Sequence, residues 1–327
     1  ELQYANAPAD APMGKLRASH GHAEPYGVKF WSIGNEMYGS WQLGNMPLEK
    51  YVLKHNEFAE AMRKADPTVK LIAVGDVGRW SEGMLAHCAD HMDYMSEHFY
   101  CQERPGVQAH AWQIPNAVRH KAEAHRRYRE EISQLKGKDI RIALDEWNYW
   151  YGPHVFGELG TRYFLKDGLG IAAGLHEMAR QSDMFYMANY AQTVNVIGAI
   201  KTNKTAAAME TTGLVLALYR KHFGTIPVSV ETSRNLDAMA AWTADRKALT
   251  LGVVNPSLEP VEIPLTIKGA KLTGKGTRRQ MAGTDPQAYN DPADPNKITV
   301  EEQPVNAVGD KITVAPCSVT LFVLEAE

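Results

Sequence analysis

The apolar positions of this chain have two textures. Between Val28 and Gly224 short apolar runs alternate with longer segments of helical period, and from Thr225 onward the runs shorten and alternate with polar residues. In the first part Val28–Ile33, Val69–Gly75, Asp93–Tyr100, Ile140–Asn148 and Met184–Gln192 read as strands. Val28, Phe30, Trp31 and Ile33 leave no polar face, which suits a strand covered on both sides, as parallel strands are. Helices are predicted over 48–65, 81–91, 117–135, 161–180 and 206–222. Asp66-Pro67 stops the first helix and Gly224 ends the last. Residues 1–27, punctuated by Pro8, Pro12, Gly14, Gly21, Pro25 and Gly27, predict a long loop.

Five strand–helix units in series predict an α/β fold with parallel strands over residues 1–224. Five units do not close an eight-stranded barrel. The sheet is therefore either open and doubly wound, or three further units precede it. After Thr225 the segments 228–232, 238–243, 248–255, 261–267, 298–300 and 311–325 read as short strands, with an Asp/Pro/Asn-rich loop at 284–295. Residues 225–327 thus predict a separate antiparallel β-sandwich.

Composition narrows the function. Apolar residues make up 44% of the 327, enough for a sizeable core, and the net charge is −3. No long basic or acidic run supports nucleic-acid binding or docking on a membrane, and no apolar run is long enough to cross a bilayer. Cys88, Cys101 and Cys317 are too few and too scattered for a disulfide framework or a zinc site. Reduced thiols, with no signal-like segment after Glu1, favour the cytoplasm.

The candidate chemistry lies where strands stop. Gly34-Asn35-Glu36 follows the first strand, and Asp145-Glu146-Trp147-Asn148 ends the fourth. Ionisable groups at the carboxyl ends of parallel strands are how barrel enzymes build active sites. Two glutamates so placed suggest a carboxylate pair of the kind that breaks glycosidic bonds. Asn35 could donate to a sugar hydroxyl. His98 and Tyr100 share one face of the third strand, where a phenol could orient a carboxylate. Gln192 ends the fifth strand. Trp41, Trp147 and Trp150 could stack on sugar rings or close the barrel top. Asp145, next to Glu146, is expected on the opposite face with a structural role. His98 has no second His or Cys at ligand spacing, so no metal site is expected. There is no Gly-x-Ser-x-Gly elbow and no phosphate loop.

Gly34-Asn35-Glu36 and Asp145-Glu146-Trp147-Asn148 resemble the two signatures of family 51 glycoside hydrolases, the α-L-arabinofuranosidases. Asn6–Asp10, Gly14–Arg17, Pro25–Lys29, Ala191–Ile200 and Thr212–Val215 extend the resemblance. It implies a (β/α)8 barrel with a β-sandwich, retaining chemistry, no cofactor and no metal. It makes Glu36 the acid/base, protonated at working pH, and Glu146 the nucleophile. Asn35, Tyr100, Gln192, His98 and Trp147 become substrate-binding candidates, and the strands present become barrel strands four to eight. The implied substrate is an arabinofuranosyl-containing oligosaccharide. A second polypeptide or a further N-terminal segment is expected to complete the barrel, and a homo-oligomer is expected. Two other readings stay open: a retaining glycosidase of endo-β-glucanase type, and a non-catalytic carbohydrate-binding fragment.

Overall fold

A computed structural model describes residues 1–232, 235–306 and 310–327, which form two compact units. The first unit comprises residues 1–98, 120–146 and 182–189, and the second comprises 99–119, 147–181 and 190–327.

A sheet, most of it in the first unit, is built from β1 (Phe30–Ile33), β2 (Lys70–Ala73), β3 (Tyr94–Cys101), β4 (Arg141–Tyr149) and β5 (Phe185–Tyr190) in that spatial order. β1 pairs β2 in parallel and β2 pairs β3 in parallel. Sequential order without a reversal has no switch point, unlike a doubly wound sheet. The sheet is strongly curled. Phe30 on β1 and Tyr186 on β5 bring their rings to 5.8 Å, although four strand spacings of about 4.8 Å would hold them roughly 19 Å apart in a flat sheet. Both rings also meet Tyr94 on β3. On the other face Ile33 and Leu71 pack with Leu2 and with Ala59 of α3 (Leu48–Ala65). A larger cluster joins Ala73, Val74 and Met95 to Met84, Leu85 and Cys88 of α4 (Arg79–Cys88).

The expected loop over residues 1–27 instead contains two helices, Leu2–Asn6 and Pro12–Ser19. Pro12 opens the second, where its missing N–H costs nothing. Arg17, fully buried, donates to the carbonyls of Tyr4, Ala5, His22 and Ala23 and ties the segment together. Gly14 is required, since a Cβ there would lie 1.9 Å from Pro8 O.

In the second unit α7 (Leu165–Arg180) and α8 (Thr211–His222) belong with the C-terminal strands. Compactness and hydrophobic texture therefore divide the chain differently. The helix expected over 206–222 starts at Thr211, because Ala207–Met209 pairs antiparallel with Ile200–Thr202. The C-terminal strands form one antiparallel six-stranded sheet and a second sheet of Val261–Pro264 with Lys311–Val314. Leu249, Leu251, Val253, Phe322 and Leu324 of the first meet Ile312 and Val314 of the second, as in a sandwich. Two strands of the six-stranded sheet differ from expectation: Leu272–Ala282, whose Lys275, Arg278, Arg279 and Gln280 hide any apolar alternation, and Glu301–Val305, which begins just after the expected strand at 298–300. The stretch 311–325 splits at Cys317, where φ is +41°, into strands that join different sheets.

Candidate active site

The first unit alone brings together the charged ends of β1, β3 and β4. The chain leaves β1 through Gly34 at φ +94°, and Glu36 sits at φ +44°. A side chain in that region crowds its own backbone, a strain usually kept only where geometry matters. The carboxylate is then fixed by three donors. Trp41 Nε1 and Gln42 Nε2 reach Oε2 at 2.6 and 3.3 Å, and His98 Nδ1 reaches Oε1 at 2.9 Å.

His98 is the hub of the site. Its other nitrogen lies 3.0 Å from Asp145 Oδ1 and 3.1 Å from Ser96 Oγ, and Ser96 donates to the same Asp145 oxygen at 2.6 Å. Glu146 Oε2 lies 3.7 Å from Nδ1. An ionised carboxylate only accepts, so with both carboxylates ionised the ring donates from both nitrogens as an imidazolium. Burial opposes that charge. The hydrogen bonds to Asp145 and Glu36 and the charges of Glu146 and Asp145 outweigh burial, and the pKa is pushed up to about 9. Burial also opposes ionisation of Glu36, but hydrogen bonds from His98, Trp41 and Gln42, with the His98 charge, hold its carboxyl below the usual range. The expectation of a protonated Glu36 therefore does not describe this arrangement, because three donors stabilise its anion.

The loop after Glu36 is held by aromatic contacts. Tyr38 meets Trp41 and Trp80 edge-on at 6.1 and 5.7 Å, and Trp80 stacks on Tyr51 at 5.5 Å. Trp80 Nε1 donates to Val74 O at the end of β2, and the Tyr51 hydroxyl donates to Ile33 O at the end of β1. One oxygen each of Glu36 and Glu146 and one nitrogen of His98 lie within 4.8 Å of one another, close enough to enclose a cation. The ring would first have to release a proton and turn from Glu36, so this donor set fits an ion-pair cluster better than a metal centre.

Asp145 corrects the sequence reading. Neighbouring strand positions point their Cβ atoms to opposite faces, yet both Asp145 and Glu146 come within 4 Å of His98. Alternation does not limit what a ring with two polar edges can reach from the adjacent strand. Ser96 and Gln42 were also missed, although Ser96 shares the period-two face of His98 and Tyr100. Asn35 is exposed at the turn before Glu36.

The other candidates lie in the second unit. Tyr100 meets Trp150 edge-on at 5.0 Å. Gln192 is exposed, with its backbone bonded to Ile197 and Ala199. Trp147 is 1% exposed and packs edge-on against Tyr190, so its faces are not open for stacking on a sugar. Asn148 is also buried and donates to Tyr163 Oη, Ala191 O and Ile197 O.

Residues 145–318 match the α-L-arabinofuranosidase C-terminal domain, and residues 1–129 match the α-L-arabinofuranosidase 1 domain. The chain is 27% identical to intracellular exo-α-(1→5)-L-arabinofuranosidase 1 of Bacillus subtilis, over 82% of this chain and 60% of that protein. It is 29% identical to the intracellular exo-α-(1→5)-L-arabinofuranosidase of Streptomyces lividans, over 91% of this chain and 50% of that protein. It thus spans 50–60% of the length of these relatives. The crystal structure of the α-L-arabinofuranosidase from Thermotoga maritima superposes with a TM-score of 0.89 at 29% identity, covering 99% of this chain and 72% of that one. The chain belongs to the α-L-arabinofuranosidases of glycoside hydrolase family 51.

Proposed function

We propose that this protein is a retaining glycoside hydrolase that releases terminal α-L-arabinofuranosyl residues from arabinose-containing oligo- and polysaccharides. The observation that carries the mechanism is the approach of Glu36 and Glu146, whose nearest oxygens lie within 4.8 Å. Retaining pairs stand about 5–5.5 Å apart, whereas inverting pairs leave about 6.5–9.5 Å for a water. The substrate follows from family membership and from the relatives' names.

In this reading Glu146 attacks the anomeric carbon and forms a glycosyl ester while Glu36 protonates the leaving oxygen. Esterification removes the charge of Glu146, so Glu36 becomes the base that activates water in the second step. Trp41 and Gln42 hold Oε2, which leaves Oε1, against His98, as the oxygen that handles the proton. Asn35, next to Glu36, would bind a sugar hydroxyl.

We also infer that β1 to β5 are strands four to eight of an eight-stranded barrel. The curled sheet, its two outer strands with one open edge each among the described residues, and the exposed rings of Phe30 and Tyr186 support closure by three more βα units, on this polypeptide or another. A cytoplasmic setting fits the three free, buried cysteines and the relatives named intracellular.

Glu146→Ala is expected to lower kcat on arabinofuranosides by about four orders of magnitude or more. Glu36→Ala should cost about 10²–10⁴-fold on alkyl arabinofuranosides and much less on activated aryl ones, whose leaving groups need no proton. Full activity in both variants would overturn the assignment.

A further inference from the structure

A retaining cycle needs a proton on Glu36 when a glycoside is bound, and the resting site does not keep one there. Glu36 accepts three hydrogen bonds, and the titratable proton nearest to its Oε1 is on His98 Nδ1, 2.9 Å away. Building on the retaining reading above, we propose that His98 stores the proton of the reaction, passing it from Nδ1 to Glu36 Oε1 when a glycoside fills the cleft and recovering it after hydrolysis.

The geometry supplies each part. Oε2 of Glu36 is occupied by Trp41 and Gln42, so Oε1 is the oxygen free to change partners. Oε1 meets His98 Nδ1 at 2.9 Å, and the same nitrogen lies 3.7 Å from Glu146 Oε2, so ring, acid and nucleophile border one cleft. The far nitrogen, Nε2, is held by Asp145 and Ser96. After Nδ1 gives up its proton, the ring is therefore the Nε2–H tautomer, with its Nδ1 lone pair facing Glu36 and ready to take a proton back. Water favours the charged pair in the open site. A neutral sugar that displaces this water removes its solvation and favours the neutral pair of carboxylic acid and imidazole.

The protons balance. In the first step the Nδ1–H bond breaks and Oε1–H forms. That proton then moves to the leaving oxygen as the glycosidic bond breaks and the Glu146 ester forms. In the second step water gives a proton to Oε1, which returns it to Nδ1, while the water oxygen bonds the anomeric carbon and the ester bond breaks. One water is consumed, and the imidazolium is restored.

The charged groups around His98 are Glu36 after β1, Asp145 and Glu146 on β4, and Asp76 after β2. All are acidic and all favour the imidazolium, so the stored proton persists until pH approaches about 9.

Two readouts on the full protein test this. The first is the basic limb of kcat/KM for p-nitrophenyl and alkyl α-L-arabinofuranosides. In the wild type it should lie near 9, where the store empties. In His98→Asn it should fall by more than about one pH unit, towards that of a lone carboxyl, with alkyl substrates losing at least about tenfold more than aryl ones. Asp145→Asn keeps the ring against Glu36 and should lower the limb by a smaller step, which covers a His98 variant that fails to fold. An unmoved limb in the variants overturns the inference. The second readout is ¹⁵N NMR of the histidine rings without substrate. Two protonated His98 nitrogens at neutral pH support the store, and a neutral ring overturns it. A wild type that hydrolyses no arabinofuranoside instead removes the retaining reading, and the NMR still decides where the resting proton lies.

Discussion

Trp41 donates its indole N–H to Glu36 Oε2 while 68% of the residue stays exposed. Trp41→Phe keeps the edge contact with Tyr38 and deletes this donor. The Glu36 anion then loses one of its stabilising bonds, so the acidic limb of kcat/KM is expected to move up, with folding stability changed by less than about 1 kcal/mol. An acidic limb that stays in place would show that the indole bond does not set the ionisation of Glu36. At this scale Glu36 and Glu146 stand out in the sequence because each ends an apolar run, a one-dimensional signal. It did not disclose Asp145 as a partner of His98, because strand alternation orients Cβ atoms and says nothing of how a ring on a neighbouring strand turns. Nor did it disclose the ionisation of Glu36, which depends on donors five, six and sixty-two positions away.

Strand β3 carries the site on one face and its anchor on the other. Glu97, fully buried, accepts from Lys121 Nζ at 2.8 Å, His125 Nε2 at 2.9 Å, Ser81 Oγ at 2.9 Å and Val77 N at 3.1 Å. It thereby ties the helix of Gln113–Glu131 and α4 to the strand that holds His98. Burial opposes its charge, but the charge of Lys121 and the bonds from His125 and Lys121 bring the pKa down to about 2. A depressed carboxyl adds stability that is present above its unfolded value near 4.5 and is lost as pH falls towards about 2. Glu97→Gln should cost about 3–5 kcal/mol in urea unfolding at neutral pH, since it strands a buried lysine, and should flatten this acid dependence. Gly75→Ala, whose Cβ would lie 2.2 Å from Ser96 O, should cost about 1–3 kcal/mol through the displacement of β3. Helix 48–65 was legible to its ends, because Pro67 and a clear apolar face mark it. The strand Leu272–Ala282 was not, because its long polar side chains mask any alternation. The N-terminal helices are hidden by the punctuation of residues 1–27, because Pro12 opens the second helix and Gly14 lies inside it.

Over the whole molecule, the acidic cluster links stability to pH. The raised pKa of His98 gives stability that is fully present below the unfolded value near 6.5 and is lost as pH rises through about 9. The melting temperature should therefore decline across that window in the wild type and decline less in His98→Asn. The α/β architecture and the all-β tail were visible as a change of hydrophobic period at Thr225. The curl of the sheet was not, since it shows only in rings on β1 and β5 that meet in space. The most direct test of a retaining Glu36–Glu146 pair is ¹H NMR of the sugar first released from p-nitrophenyl α-L-arabinofuranoside, recorded before mutarotation. The α-anomer appearing first is the expected result. The β-anomer appearing first would mean single displacement by water and would contradict the pairing of the two glutamates as acid/base and nucleophile.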